Sequence, residues 1–467
     1  MCVAHGDADG AVDVNNSRYA VKMLQRWGYN IRYWEVPGGT HGRLGIEDDL
    51  MQWFLLHKRD ANPKHVRIRS AELKSAAAHW VSVLQRKNPY AFIHADVEVI
   101  GPNKIKLETE NVLELTLSPG NDIVDHQQPL LIFWNGKEIK TKLNEGRVTL
   151  KSEEYSPSKL HKRPEIEGPL ADVTNTPFAV VIGTISTDSL MRKLCEMKAR
   201  DFINNWKDWQ KCEPRVFKDI ELSDIDMAKY SLILYGGADA NLVTQKLIDK
   251  IPLKMTSEKF ILAGQEFKAK DAVVNMIYPN PLNPDRYVSI IAANSPTGMY
   301  FFNQNQNNTE RYDFYIADGC IPNRRLGRPH EKVQVAAGIF DYNWQIDPKF
   351  LEKGDPEIRA QCPYRKVLSD LSTSVVGLPE IDPELFDNYV GEYQAEAGFV
   401  VKIMREGDKL MGQGPDNPPV QLFPYAETEY FLDVTDLQIT FIKGESGEVD
   451  ELIIHQGNQH ISAKRIK

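Results

Sequence analysis

The residues of this sequence best suited to chemistry are those of His5-Gly6-Asp7-Ala8-Asp9-Gly10-Ala11-Val12 and, 32 residues after Asp9, His41 within Gly38-Gly39-Thr40-His41-Gly42. A carboxylate on one loop and an imidazole on another can act together. The carboxylate fixes one tautomer of the ring and stabilises the imidazolium that forms when the ring takes a proton from a hydroxyl. Both then serve a third group, a nucleophile, with the histidine as general base and later as general acid. His5, Asp7, Asp9, Gly10 and Asn16 also fall at positions 1, 3, 5, 6 and 12 of a calcium loop. That loop, however, wants Asp at position 1 and a bidentate Glu at position 12, where this chain has His and Asn. A solvated acidic turn beside an unrelated His41 is the plain alternative. No metal and no cofactor are expected.

The elements around these loops fit the first reading. Val3-Ala4 closes a short apolar strand. Tyr19, Ala20, Met23, Leu24 and Trp27 recur at helical spacing from Ser17 until Gly28 stops the helix, Ile31 to Val36 alternates as a strand does, and Glu47 to His57 returns to helix. Strand, helix, strand, helix is half of a doubly wound unit. The 32-residue separation leaves room for one helix and one strand, so two neighbouring parallel strands would present both loops at one end of a sheet.

At these residues the chain resembles the prolyl-oligopeptidase type of serine α/β-hydrolase. The pattern H-G-x-x-D-x-x-V, realised as His5 to Val12, is similar to that family's acid loop. Tyr33, Trp34, Pro37 and the turn at His41 are similar to its histidine loop. The resemblance covers roughly the first 60 residues. It implies that Asp9 is the triad acid, that Asp7 is a loop residue, that His41 is the triad histidine, and that the substrate is a peptide or an ester. The family's nucleophile elbow, G-x-S-x-G, precedes the acid in the chain. No such pentapeptide occurs in these 467 residues, and Gly444-Glu445-Ser446-Gly447 has the wrong spacing. The expectation is therefore that the elbow, the oxyanion-hole strand and most of the parallel sheet lie upstream of Met1, and that this chain does not run the reaction alone. The rival class is a non-catalytic binding or scaffold protein that holds a polymer or a partner with its other domains.

Those domains follow in order. The expected fold class is α/β multidomain: a partial α/β-hydrolase sheet carrying both loops (1–60), a β-sandwich (61–165), a second α/β layer domain (166–345), a charged and proline-rich linker (346–382), and a small antiparallel β domain, barrel or sandwich (383–467). The sandwich is read from short strands separated by turns such as Asn135-Gly136-Lys137. The second α/β domain is read from the buried-type strands Phe178–Gly183 and Ser231–Gly236, with Phe260–Leu262, Ala272–Ile277 and Tyr287–Ile291 completing its sheet. Gly236-Gly237-Ala238-Asp239 lacks the spacing of a phosphate-binding turn, and Asp239 is expected to cap a helix running from Ala240 to Lys250. Trp206, Trp209 and Trp344 are expected in cores, and Asn303 to Asn308 in a polar loop. The run Pro279-Asn280-Pro281-Leu282-Asn283-Pro284 and the strand end at Tyr235 resemble an accessory α/β domain found behind the catalytic domain in some large bacterial hydrolases of this type. The tail from Tyr389 to Arg465 resembles a small uncharacterised domain often appended to bacterial serine hydrolases.

Composition narrows the function classes. The chain is 42% hydrophobic and 26% charged, with a formal net charge of −9. A mildly acidic surface argues against nucleic acid as a partner, since phosphate binding wants clustered Lys and Arg. The runs His57-Lys58-Arg59, His161-Lys162-Arg163 and Arg324-Arg325 are short and read as solvated loops. No apolar run of about 18 residues is present, so no membrane span is expected, and the N-terminus carries no signal-peptide pattern. The five cysteines are widely spaced without a C-x-x-C pair, which leaves the redox compartment open. Localisation is open as well, although full-length relatives of this type would be secreted or periplasmic. Oligomeric state is not legible.

Overall fold

A computed structural model describes residues 1–300, 302, 311–318, 334–355 and 381–466, apart from Arg43, Arg59 and the short stretches 396–397, 416, 425–426, 433–436, 445–446 and 457–458. The chain is mixed α/β and forms two compact units, Met1–Lys64 and His65–Lys467.

In the first unit, strands β1 (Cys2–Gly6) and β2 (Arg32–Val36) pair in parallel, from Cys2 opposite Arg32 to Gly6 opposite Val36. Helix α1 (Val14–Arg26) connects them, and α2 (Glu47–Leu55) follows. The first helix starts three residues before the periodicity predicts. Asp13 caps it, its side chain accepting the Asn15 N–H at 2.8 Å. Gly28, with φ +83°, turns the chain out of it. Residues 1–64 thus hold one parallel β–α–β unit with a two-stranded sheet; a full α/β-hydrolase layout is not among them. Of the unit's large apolar side chains, only Val21 is buried among the described residues.

The second unit begins with nine strands: β3 (His65–Ser70), β4 (Ala77–Ala78), β5 (Val81–Gln85), β6 (Ile93–Gly101), β7 (Lys104–Glu110), β8 (Glu114–Leu117), β9 (Leu130–Trp134), β10 (Lys137–Thr141) and β11 (Val148–Lys151). They make two sheets, ordered β10-β9-β7-β6-β3 and β11-β8-β5-β4, over one core that includes Val66, Ile68, Val97, Leu107, Leu115 and Ile132. Alternation drives this: in β3 Val66 and Ile68 point inward while His65, Arg67 and Arg69 point out. At the β9–β10 hairpin, Asn135 (φ 47°) and Gly136 (φ 83°) supply the two left-handed positions that a two-residue turn requires.

Next come β12 (Phe178–Ile182), α3 (Ser189–Gln210), β13 (Arg215–Lys218), α4 (Asp224–Lys229), β14 (Ser231–Tyr235), α5 (Leu242–Leu247), β15 (Leu253–Thr256), β16 (Lys259–Leu262), β17 (Gln265–Lys268), β18 (Val273–Asn280), β19 (Asn283–Ala293), α6 (Pro296–Tyr300), β20 (Phe314–Ala317), β21 (Ala336–Gly338) and β22 (Leu351–Lys353). An eight-stranded sheet runs β13-β12-β14-β19-β18-β20-β21-β22. Its first four strands are parallel and the rest antiparallel.

Several expectations change here. Phe260–Leu262 does not join the large sheet but forms the middle of a separate antiparallel one, β15-β16-β17. Leu351–Lys353, inside the stretch read as linker, pairs with β21. Asn241, not Asp239, caps α5, accepting the N–H groups of Val243 and Thr244. Trp344 is fully buried and Trp206 packs edge-on against Phe178, but Trp209 is 84% exposed. Lys162 is no solvated loop residue: its ammonium is buried, paired with the Asp313 carboxylate and set over the Trp344 ring. Asn303–Asn308, Arg324-Arg325 and residues 356–380 of the linker lie outside the described residues.

The C-terminal strands β23 (Gly391–Ala395), β24 (Val400–Glu406), β25 (Lys409–Gln413), β26 (Val420–Pro424), β27 (Glu429–Phe431), β28 (Leu437–Lys443), β29 (Val449–Gln456) and β30 (Gln459–Arg465) close into an antiparallel barrel around Tyr393, Tyr430, Phe441 and Leu452. Closure removes the sheet edges. Among the described residues no helix is long and apolar enough to cross a membrane.

Candidate active site

The parallel pairing of β1 and β2 delivers the acid loop and the histidine loop to the same end of the first unit's sheet. The loops are then sewn together by their own backbone. Asp7 donates its N–H to the Val36 carbonyl at 3.1 Å and Ala8 donates to the Gly39 carbonyl at 3.0 Å. The Asp7 carboxylate accepts the Gly38 N–H at 2.6 Å, so this residue is a staple between the loops.

Asp9 lies beyond the staple, with its side chain 7% exposed. One carboxylate oxygen, Oδ1, accepts the N–H groups of Ala11 and Val12, both at 2.9 Å. The other, Oδ2, faces His41 Nδ1 at 3.0 Å and His5 Nε2 at 3.3 Å. The Val12 N–H above all, with the His41 ring and the Ala11 N–H, holds the Asp9 carboxyl at about 2, well below the ordinary carboxylate range. Asp9 is therefore ionised at neutral pH and only accepts, which assigns the proton of His41 to Nδ1. The His41 side chain is 66% exposed. In the neutral ring Nε2 carries the lone pair, so this is the nitrogen able to take a proton.

His5, the first residue of the acid-loop pattern and of the calcium-loop alternative, touches Asp9 as well, a contact that neither pattern states. Its Nε2 sits between two acceptors, Asp9 Oδ2 and the Val12 carbonyl at 3.0 Å, and so carries a hydrogen. Its Nδ1 then accepts from the Ser17 hydroxyl at 2.6 Å. A chain of polar contacts thus runs from Ser17 on α1 through His5 and Asp9 to His41. Behind it, Glu35, opposite His5 in the strand register, takes both Nε (2.9 Å) and Nη2 of Arg18 and the Tyr33 hydroxyl (2.9 Å). Arg18 first and Tyr33 second hold the Glu35 carboxyl at about 2. The arrangement pins α1 to β2. The signal for His5 was its i, i+4 spacing from Asp9, but which face of the strand it used depended on the register.

The calcium-loop alternative finds the Asp7 and Asp9 oxygens turned toward N–H donors. Among the described residues no group of three or more His, Cys, Asp or Glu is arranged to hold a metal ion.

Comparison with known proteins gives two findings. Residues 377–465, which contain the closed barrel, match a family described as Domain of unknown function (DUF3471). The chain is also similar to Penicillin-binding protein 4* of Bacillus subtilis (strain 168), with 25% identity over 79 residues, 17% of this chain and 18% of that protein. The match therefore spans less than a fifth of that relative's length. The family match leaves the loops of Asp9 and His41 outside it.

Proposed function

We propose that the first unit carries the acid and the base of a serine hydrolase of the prolyl-oligopeptidase type, acting on peptide or ester bonds. The observation that supports this reading most directly is the 3.0 Å contact between the ionised Asp9 and His41 Nδ1, which leaves Nε2 exposed toward a reaction partner. In this reading His41 takes the proton of a serine hydroxyl at Nε2 as the serine attacks the substrate carbonyl. Asp9 stabilises the imidazolium, and the proton then passes to the leaving group. His5, the Ala11 and Val12 N–H groups and the Asp7 staple hold Asp9 in place. These 467 residues contain no G-x-S-x-G, so in this reading the serine has to come from a further segment. The similarity to a penicillin-binding protein supports the coarser class, serine-hydrolase-like, and adds nothing on the choice between peptide and ester.

The test uses a fluorophosphonate probe, with a labelled penicillin as a second probe chosen from the relative's name. The 467-residue chain by itself is expected to stay unlabelled. The product of the coding sequence read upstream of Met1, with an in-frame G-x-S-x-G, is expected to be labelled at that serine and to lose labelling in Asp9→Ala and His41→Ala. Labelling that survives both substitutions would remove the reading.

A further inference from the structure

Open parallel sheets take ligands outside the carboxyl ends of their strands, at the crevice where neighbouring connections leave in opposite directions. In the large sheet the neighbours are β12, whose connection runs to β13 on one side, and β14, whose connection runs toward β18 and β19 on the other. That crevice is closed. A Cβ on Gly183, directly after β12, would lie 2.5 Å from the carbonyl oxygens of Tyr235 and Ala240. The N–H groups of Gly183 and Ile185 donate to those same oxygens at 2.9 and 3.2 Å. The buried Asp219 completes the seal, accepting the N–H and hydroxyl of Thr184 and the Leu242 N–H.

Open space lies one strand along. Between the carboxyl ends of β14 and β19 is a cavity of about 360 Å³, walled on its far side by β15. This is within the size range of small-molecule sites, roughly 300–1,000 Å³. Its apolar lining is Ala238, Ile248, Leu253, Met255 and Ala292. Several of its polar groups are already engaged. The Thr244 hydroxyl donates to the Gly236 carbonyl at 2.9 Å. The Asn294 amide nitrogen serves the Ser257 and Ala269 carbonyls, and its oxygen takes the Ala272 N–H. Thr256 Oγ1 accepts the Glu258 N–H at 3.4 Å. Two side-chain groups of the lining are left over: the Asp239 carboxylate, which Asn241 relieves of capping duty, and the Ser257 hydroxyl. Neither has a hydrogen-bond or ion-pair partner among the described residues.

We propose that this cavity binds a small organic cation, a protonated primary amine on a short apolar body. The ammonium donates to the Asp239 carboxylate and the Ser257 oxygen, and the carbon body lies against Met255, Ile248 and Ala292. The charge of Asp239 repels a carboxylate or phosphate of similar size, and a neutral ligand forgoes the charge-assisted hydrogen bond. The amine can be a free alkylamine or a lysine side chain.

Saturation-transfer NMR on the full chain tests this with probes matched in shape: benzylamine, benzyl alcohol, benzoate and an acetylated, amidated Gly-Lys-Gly peptide. Benzylamine is expected to receive saturation and benzoate none. Asp239→Asn, a change at an exposed side chain, is expected to weaken benzylamine by about tenfold and to erase its advantage over benzyl alcohol. Binding of the peptide assigns the site to lysine side chains; binding of benzylamine without the peptide assigns it to free amines. No transfer to benzylamine, equal transfer to benzoate, or an affinity unchanged in Asp239→Asn overturns the proposal.

Discussion

Gly6 and Gly39 approach so closely that a Cβ placed on Gly39 would lie 2.9 Å from the Gly6 Cα, with a Leu44 methyl and the Val36 carbonyl each at 3.1 Å. Neither glycine has a positive φ, so no side chain is barred there by backbone conformation. The requirement is space. These two residues let the loop of Asp9 and the loop of His41 touch.

Adding one methyl group tests that. Gly39→Ala must push the histidine loop off β1, and the overpacking is expected to cost about 1–3 kcal/mol. Because the shift acts on the loop itself, the Asp9–His41 hydrogen bond should go with it. Nitrogen NMR of the His41 ring is expected to show loss of the single Nδ1–H tautomer in Gly39→Ala. Gly38→Ala serves as a contrast, with open space around its Cβ but a φ of +69°. It is expected to destabilise the loop through backbone strain while leaving the Gly6–Gly39 approach intact. Unchanged tautomer signals in Gly39→Ala would show that the close approach does not position the histidine.

The state of Asp9 predicts a pH dependence. Its pKa is depressed in the folded chain, at about 2, because the Val12 N–H, the His41 ring and the Ala11 N–H all favour the carboxylate. A depressed folded pKa gives stability that is complete above the unfolded value of about 4 and lost as pH falls through that value toward 2. Denaturant midpoints of the native chain and of Asp9→Asn, read through the assigned indole NMR signals of Trp27, Trp34 and Trp53 in the first unit, should differ by a constant amount above pH 5. They should converge below pH 4. Glu35 is also held at about 2 and titrates in the same window, so the comparison is repeated in a Glu35→Gln background. A gap that stays constant down to pH 2 would mean that Asp9 is not stabilised as an anion.

A third expectation concerns the buried pair of Lys162 and Asp313, whose side chains are 7% and 1% exposed. Asp313 also accepts the Phe340 N–H, and the neighbouring Glu167 accepts the N–H groups of Leu73 and Lys74 in the turn between β3 and β4, so charged groups link the sandwich to the segment that leads into the large sheet. Burial pushes the Lys162 pKa down and the Asp313 pKa up, each charge being tolerated only for its partner. Lys162→Met leaves a carboxylate without its counter-charge and is expected to cost about 3–5 kcal/mol. Lys162→Met with Asp313→Asn removes both charges, keeps the acceptor for Phe340, and is expected to regain most of that loss. Chemical denaturation of the two variants measures it. A double variant no more stable than the single one would show that the ion pair itself holds the two parts together.

What the sequence carried and what it hid divide along sequence distance. The Asp9–His41 pairing rests on one strand–helix–strand crossover, and local periodicity is enough to place both loops at one end of it. An antiparallel C-terminal β domain was visible in short alternating strands punctuated by turns, but closure into a barrel rather than a sandwich was not. Lys162 was misplaced because its partner stands 151 residues away, and a basic run reads as solvated when only its neighbours are considered. Phe260–Leu262 was assigned to the wrong sheet for a related reason: an apolar run of strand length states that it pairs, not with what. The start of α1 was missed because Val14-Asn15-Asn16 has weak helix propensity, and the Asp13 cap outweighs it.

The final prediction follows from how little the first unit buries. Val21 is its one buried large apolar side chain among the described residues, while Tyr19, Met51, Phe54, Leu55 and Leu56 are more than half exposed. Two strands with a single helix are ordinarily too few for independent stability, and at about 25 cal/mol per Å² of apolar area the burial here leaves little to set against chain entropy. The second unit differs in kind. In β12, Phe178 to Val181 are all buried, with parallel strands bonded on both sides. Amide hydrogens of β1, α1 and β2 are therefore expected to exchange by local opening, orders of magnitude faster than those of β12, whose exchange requires the whole sheet to open. Hydrogen exchange read by mass spectrometry over peptides spanning residues 1–64 and 178–182 measures the difference. The polar network adds a finer expectation. Arg18→Met cuts the tie between α1 and Glu35, and should accelerate exchange in α1 while leaving β12 unchanged. If residues 1–64 prove as protected as β12, their exposed apolar face is covered in solution, and the partner that covers it should be identifiable by cross-linking from Lys22, on α1.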